Sequence, residues 1–193
     1  MKNLLTLLFC CLTTLSSLAQ NPTPPLKLKF KLQPGDPAPA LKVGRWLKGK
    51  PIDTLEQGKI YVLDFWGTKC GYCIASFPEL RSLQRRYKQV EFIQLAVVRW
   101  SPTQLYPDDE EIREKFVNNR GYEMVNRVAE DSPDGFMVEH WLKASGVSSL
   151  PRLIIVDHNK RMAWSGKLED FELALATVVA QAPQALDTKK RRN

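Results

Sequence analysis

Lys59-Ile60-Tyr61-Val62-Leu63-Asp64-Phe65-Trp66-Gly67-Thr68-Lys69-Cys70-Gly71-Tyr72-Cys73 is the stretch on which the fold of this 193-residue chain turns. Lys59 to Trp66 is β-rich and almost continuously apolar, the pattern of a strand buried on both faces. Gly67-Thr68-Lys69 turns the chain. From Cys70 onward, Cys73, Phe77, Leu80, Leu83 and Tyr87 recur at helical spacing, with Arg81, Arg85 and Arg86 on the opposite side. Pro78 falls in the second turn, and the periodicity continues past it, so it should kink the helix rather than end it.

This places Cys70-Gly71-Tyr72-Cys73 where a strand hands over to a helix N-terminus. The first cysteine lies by the unpaired amides and positive end of the helix dipole, which stabilise a thiolate. The second lies one turn later on the same side, within disulfide reach. A structural disulfide or part of a zinc site, with His140 and His158 as further ligands, is the alternative to a catalytic dithiol. Asp64 is the second anomaly. An acid among Ile60, Tyr61, Val62, Leu63, Phe65 and Trp66 either alternates outward to solvent or is buried with a raised pKa. Apolar neighbours on both faces favour burial and a role as proton acceptor for Cys73.

Working outward, Val90 to Val98 reads as a second parallel strand, closing a right-handed βαβ unit. Leu153 to Asp157 and Met162 to Ser165 flank His158-Asn159-Lys160-Arg161 as a hairpin, and Glu169 to Ala180 forms a closing amphipathic helix. Between them, Ser101 to Gly146 is expected to hold a helix over Asp108 to Asn118, a short strand over Glu123 to Val128 and a helix over Gly135 to Ala144. His140, His158, Trp46, Trp100, Trp141 and Trp164 read as packing or solvated residues; Trp66 reads as part of the active-site wall.

The N-terminus reads as an address. Met1-Lys2-Asn3 is a minimal positive region, Leu4 to Leu15 is mostly apolar, and Ser17-Leu18-Ala19 carries small residues where a signal peptidase reads. The apolar run falls short of the roughly 18–20 residues needed to span a bilayer, which favours cleavage after Ala19 over a retained anchor. A lipoprotein would use Cys10 or Cys11, but Phe9 and a second cysteine precede them. Cleavage leaves Cys70 and Cys73, which in an oxidising compartment have each other or a partner protein to pair with. The expected layout is a signal peptide over 1–19, a Pro-rich tether over 20–33, one domain over 34–182 and a basic tail over 183–193.

Composition agrees with a single globular domain. The chain is 44% hydrophobic and 25% charged, with 10 Gly and 13 Pro, which excludes collagen, coiled coil, wholesale disorder and multi-pass membrane architecture. Of the net charge of +7, Lys2 carries one and the tail Asp187 to Asn193 a net three. No basic stripe with interleaved aromatics is present, so no nucleic-acid partner is expected.

Leu63 to Cys73 resembles the active-site segment of the thioredoxin superfamily, and the exported setting is similar to its TlpA/ResA-like branch of redoxin domains. The likeness runs from about Pro34 to Ala180, and Gly35-Asp36-Pro37-Ala38-Pro39 is similar to the opening of such domains. It implies an α/β thioredoxin-like fold: a central mixed sheet flanked by helices, with an insertion between the second parallel strand and the cis-proline strand. It further implies Cys70 as nucleophile, Cys73 as resolving cysteine, a redox-active Cys70–Cys73 disulfide, Asp64 as assisting acid and a cis Leu150–Pro151 bond facing the dithiol. Trp66, Lys69, Gly71, Tyr72, Leu150 and Pro151 would then border the substrate. Lys69 stands where thioredoxins usually carry a second Trp, Tyr72 where Pro is common, and Ser76 where many ResA-like proteins have Glu.

The implied activity is thiol–disulfide exchange in the periplasm or cell envelope. Its partners would be disulfide-containing envelope proteins and a separate redox partner; membrane contact is expected only through an uncleaved signal segment, and no cofactor or metal is required. Two other readings fit less well. Peroxiredoxin-type peroxidases place Thr or Ser three residues, and Pro seven residues, before the reactive cysteine, where this chain has Gly67 and Leu63. Copper-delivery modules of this fold usually space their cysteines one residue wider.

Overall fold

The computed structural model describes residues 32–98 and 110–183. The expected signal segment, nearly all of the tether and basic tail, Trp100 and the start of the helix expected at Asp108 lie outside those residues. Six strands form one sheet: β1 (Val43–Lys48), β2 (Ile60–Trp66), β3 (Val90–Ala96), β4 (Arg127–Asp131), β5 (Arg152–Val156) and β6 (Met162–Gly166), in the order β1-β4-β3-β2-β5-β6. β2, β3 and β4 run parallel; β5 runs antiparallel to β2, β6 to β5 and β1 to β4. Among the described residues the α-helices are α1 (Gly71–Arg86), α2 (Glu110–Arg120) and α3 (Phe171–Gln181), with a 3-10 turn at Leu168–Asp170 leading into α3. This is the thioredoxin-like α/β architecture that the sequence implies.

Alternation along β2 divides the core between its two faces. Tyr61, Leu63 and Phe65 meet Ile93, Leu95, Ile154 and Val156 on one face, beneath the helical segment that carries Met137, Val138, Trp141 and Leu142. Ile60 and Val62 meet Leu80 and Leu83 of α1 and Phe171, Leu175 and Val178 of α3 on the other. Farther along this second face, Trp66 joins Cys73 and Phe77 of α1, Val117 of α2 and Met124. All seven residues of β2 are buried. The helix α1 continues through Pro78, which has no N–H to give back to the preceding turn.

The insertion differs from its sequence-based reading in two places, and β1 is a third difference outside it. Its strand is β4, starting at Arg127 rather than Glu123, because the pairing with β3 begins at Ile93↔Arg127. Met124 and Val125 are apolar and buried without being paired in the sheet, which is what made the earlier start plausible from sequence. The helix expected over Gly135 to Ala144 is wound as a π turn over Val138–Leu142 followed by a 3-10 turn over Lys143–Ser145. Asp131, at the end of β4, accepts hydrogen bonds from the Met137 and Val138 amides at 2.8 and 3.1 Å, holding the start of that segment. β1 was not legible at all: Gly44 interrupts a half-buried run without clean alternation. Its Arg45 reaches Glu130 of β4 at 3.3 Å and Glu110 and Glu114 of α2 at 2.7 and 3.2 Å, and Glu130 also forms a buried pair with Arg113 of α2 at 2.8 Å.

The opening Gly35 to Ala38 covers the β6 side of the sheet through Gly35 N–H to Met162 C=O and Ala38 N–H to Lys160 C=O, each 2.8 Å. At the other side, Gly49 follows β1 with φ +80, and a Cβ there would stand 2.1 Å from the Asn126 carbonyl oxygen. Any side chain must therefore move the backbone before β4 as well as occupy a left-handed conformation. Gly49→Ala is expected to destabilise the fold by more than about 2 kcal/mol. Urea unfolding measures this, and a change within about 0.5 kcal/mol would show that the segment before β4 yields freely.

Candidate active site

β2 ends at Trp66, the chain turns through Gly67 to Lys69, and Cys70 becomes the N-cap of α1. The Cys70 amide donates to the Gly67 carbonyl at 3.0 Å, and the Ile74 amide donates to the Cys70 carbonyl at 3.1 Å, so the turn and the first helical bond meet at the same residue. The Cys70 sulfur accepts from the Cys73 amide at 3.2 Å, satisfying one of the helix's otherwise unpaired donors. Cys70 and Cys73 are joined by a disulfide, with Cα atoms 5.2 Å apart.

The two sulfurs occupy different surroundings. Cys70 is partly exposed, whereas Cys73 is 0% exposed beside Trp66 and Phe77. Between them Gly71 is exposed, with nothing within 4 Å of where a Cβ would stand, and Tyr72 is 84% exposed. Lys69 is exposed in the preceding turn. Lys69, Cys70, Gly71 and Tyr72 thus form the accessible side of the dithiol.

Trp66 is the correction among the expected substrate contacts. It is fully buried, since its place at the end of β2 points it beneath α1 and α2. Phe77 stands edge-on to it at 5.4 Å, and Phe116 lies tilted at 5.3 Å. This aromatic group supports the start of α1 from below and reaches no ligand at the surface. Phe116, from the insertion, had no signal in the sequence pattern around the dithiol.

Leu150–Pro151 is a cis bond, as expected. Leu150 packs against the group that contains Trp66 and Cys73, and a Cβ on Gly67 would meet its Cδ1 at 3.9 Å. β5 begins immediately afterwards at Arg152, whose guanidinium donates to the Ser165 hydroxyl at 2.9 Å and the Ser165 carbonyl at 3.1 Å. The loop before β5 and the end of β6 are thereby joined beside the dithiol end of the sheet. Ser76 is buried, its hydroxyl donating to the Cys73 carbonyl at 2.7 Å. His140 stacks on Phe136 with ring centroids 4.1 Å apart, and His158 follows β5 at the end of that strand away from Cys70. Neither is drawn to the cysteines.

Asp64 is 2% exposed, so the alternation does not turn it to solvent. It lies on the α1 face of β2, between Val62 and Trp66, in register with Gln94 of β3 and Leu153 of β5. Its Oδ2 accepts from Gln94 Nε2 at 2.9 Å, while Oδ1 is buried without a hydrogen-bond partner. Burial pushes the carboxyl pKa up from 3.8 to about 7, with the Gln94 hydrogen bond acting in the opposite direction. Gln94 is the residue that sequence reading missed. A lone amide in the apolar run Val90 to Val98 is the same kind of signal that marked Asp64.

The chain is similar to known proteins in family and in fold. A model of the Redoxin family matches residues 33–180. Protein FixW of Rhizobium leguminosarum is 32% identical over 147 residues, covering 75% of this chain; the chain spans 65% of that relative's length. Among solved structures, the thioredoxin domain of a thiol-disulfide oxidoreductase from Bacteroides vulgatus superposes with a TM-score of 0.58 at 22% identity, covering 76% of this chain and 99% of that one. A thiol:disulfide interchange protein from a Bacteroides species has the same TM-score at 20% identity, with 80% and 95% covered.

The raised carboxyl pKa has a consequence for stability. The folded, oxidised chain keeps the Asp64 proton up to about pH 7, whereas an unfolded chain releases it near 3.8. The folded state thus binds more protons across that window, and stability falls as pH rises from about 4 to about 7. The difference is on the order of 4 kcal/mol for a shift of about three units. Asp64→Asn should flatten this limb, so that the variant gains on the wild type with rising pH. Urea unfolding of both oxidised proteins at a series of pH values measures it; parallel profiles would place the Asp64 proton elsewhere.

Proposed function

The chain belongs to the redoxin family, and from that premise we propose that it is a thiol–disulfide oxidoreductase of the cell envelope, working through Cys70 and Cys73. The observation that carries this reading is the disulfide at the N-terminus of α1, with one sulfur partly exposed and the other buried on the face that holds Asp64. Such a pair can be attacked, or attack, at one sulfur only, and its second thiol is kept for the intramolecular step.

In the reducing direction the Cys70 thiolate attacks one sulfur of a substrate disulfide. A Cys70–substrate bond forms, the substrate S–S bond breaks, and one substrate thiolate leaves with its electron pair. Cys73 gives up its proton to Asp64 and attacks the Cys70 sulfur. The Cys70–Cys73 bond forms and the second substrate thiolate leaves, so two electrons have passed to the substrate. Oxidation of a substrate dithiol is the same sequence reversed. Asp64 suits its part because a carboxyl with a pKa near 7 can both accept and return a proton close to neutral pH.

Partners would be envelope proteins carrying a disulfide, together with a redox partner that restores the dithiol or disulfide. The export reading comes from the segment Met1 to Ala19, and the docking surface from the exposed run Lys69 to Tyr72 with Leu150 beside it. Extended substrate backbone along the loop before β5 would be a form of strand addition.

Trapping tests the order of attack. Cys73→Ala should accumulate mixed disulfides through Cys70, visible on non-reducing gels of alkylated cell envelopes and lost on reduction. Cys70→Ala should accumulate none. Asp64→Asn should slow resolution by about 10²-fold, the scale of general-base assistance. Equal trapping by both cysteine variants, or none by Cys73→Ala at normal expression, rules out this mechanism.

A further inference from the structure

We infer that Gln94 is a positioning residue for the buried carboxyl: it occupies Asp64 Oδ2 with a donor and leaves Oδ1 as the oxygen that takes and returns the proton. This rests on the proposed role of Asp64 in the resolving step and adds which atom acts and what aims it.

The geometry leaves little freedom. Gln94 is fully buried and stands beside Asp64 in the parallel β2–β3 register. The other end of its amide faces the Val125 backbone nitrogen at 3.0 Å. A backbone N–H can only donate, so the atom facing it must be the carbonyl Oε1, and the NH2 end must face Asp64. Nε2 has no lone pair with which to accept. A proton on Oδ2 would make that oxygen a weaker acceptor for the Gln94 amide, whereas Oδ1 has no competing partner. This arrangement favours Oδ1 as the oxygen that carries the proton.

What fixes Gln94 is the segment between α2 and β4. Lys48 Nζ donates to the carbonyls of Gly121, Met124 and Val125 at 2.5, 3.3 and 2.9 Å. Arg81 of α1 donates to the Met124 carbonyl at 3.0 Å, and the Asn126 amide donates to Gln84 of α1 at 3.0 Å. The Val125 amide is thus held from β1 and α1 at once, and through Gln94 this grip reaches the carboxyl. The groups facing Asp64 are few. Gln94 of β3 and Leu153 of β5 are uncharged, Cys73 is the titratable residue of α1 buried on this face, and Lys48 and Arg81 stand beyond Gln94, engaged with carbonyls. The α3 residues on the same face are apolar.

Because the Gln94 amide stabilises the ionised carboxylate, its removal should raise the pH at which Asp64 titrates. Gln94→Leu is expected to move the carboxyl titration, followed by infrared spectroscopy or carbon NMR of the reduced full chain, upward by about one to two pH units. The resolving step is read separately with an aromatic disulfide whose thiolates are coloured. The first thiolate released reports attack by Cys70 and the second reports resolution by Cys73. The pH profile of the second release should move with the carboxyl, and that of the first should not. In the wild type, the Gln94 side-chain amide resonances should titrate at the same midpoint as Asp64, a measurement that needs no variant to fold.

An unmoved carboxyl titration in Gln94→Leu, or Gln94 amide resonances that ignore Asp64, would overturn the inference. A carboxyl titration that moves while the second release keeps its pH profile would uphold Gln94 as the residue that aims the carboxyl. It would overturn Asp64 as the base for Cys73.

Discussion

Burial of β2 on both faces is the constraint from which the rest of the molecule follows. A strand in the middle of a six-stranded sheet has no solvent side, so every residue from Ile60 to Trp66 must be accommodated by packing or by hydrogen bonding. Six of the seven fill the space with apolar or aromatic bulk, with the Trp66 indole N–H buried without a partner. Asp64 does not, and the fold gives it one hydrogen bond instead of two. The same burial fixes the direction in which β2 leaves the sheet, and so delivers Cys70 to the start of α1.

Half-satisfying a buried carboxyl costs stability at neutral pH, which is the usual signature of a group retained for chemistry rather than for packing. An ionised side chain in this position would be far more expensive without a partner, and a fully hydrogen-bonded one would hold its charge too firmly to accept a proton. Gln94 supplies an intermediate condition. It donates one hydrogen bond, carries no charge of its own, and is itself satisfied at both ends.

The insertion between β3 and β5 accordingly belongs to the site as much as to the scaffold. β4 extends the parallel sheet, Phe116 of α2 completes the aromatic group under Cys73, and the turn before β4 orients Gln94. The buried Arg113–Glu130 pair ties α2 to β4. Glu130 also takes Arg45 of β1, so α2, β1 and β4 meet at one carboxylate. A packed floor under the short run Lys69 to Tyr72 would suit the docking of extended partners proposed above.

The sequence by itself determined the strand–turn–helix unit, the placement of both cysteines at its junction, the burial of Asp64 and the opening, hairpin and closing helix of the domain. These depend on local periodicity and on residue types that declare themselves: an apolar run, a helical repeat, a charged residue where none belongs. Only the tertiary structure decided the rest. β1 is half-buried and interrupted by Gly44, β4 is set by its register with β3 rather than by its own pattern, and Trp66 reads as active-site wall until α1 and α2 are seen to cover it. Gln94 stands thirty residues from Asp64 and thirty-one from Val125, and its meaning lies in those two contacts. Periodicity reports which face a side chain takes; it carries no information about which distant atom will be waiting there.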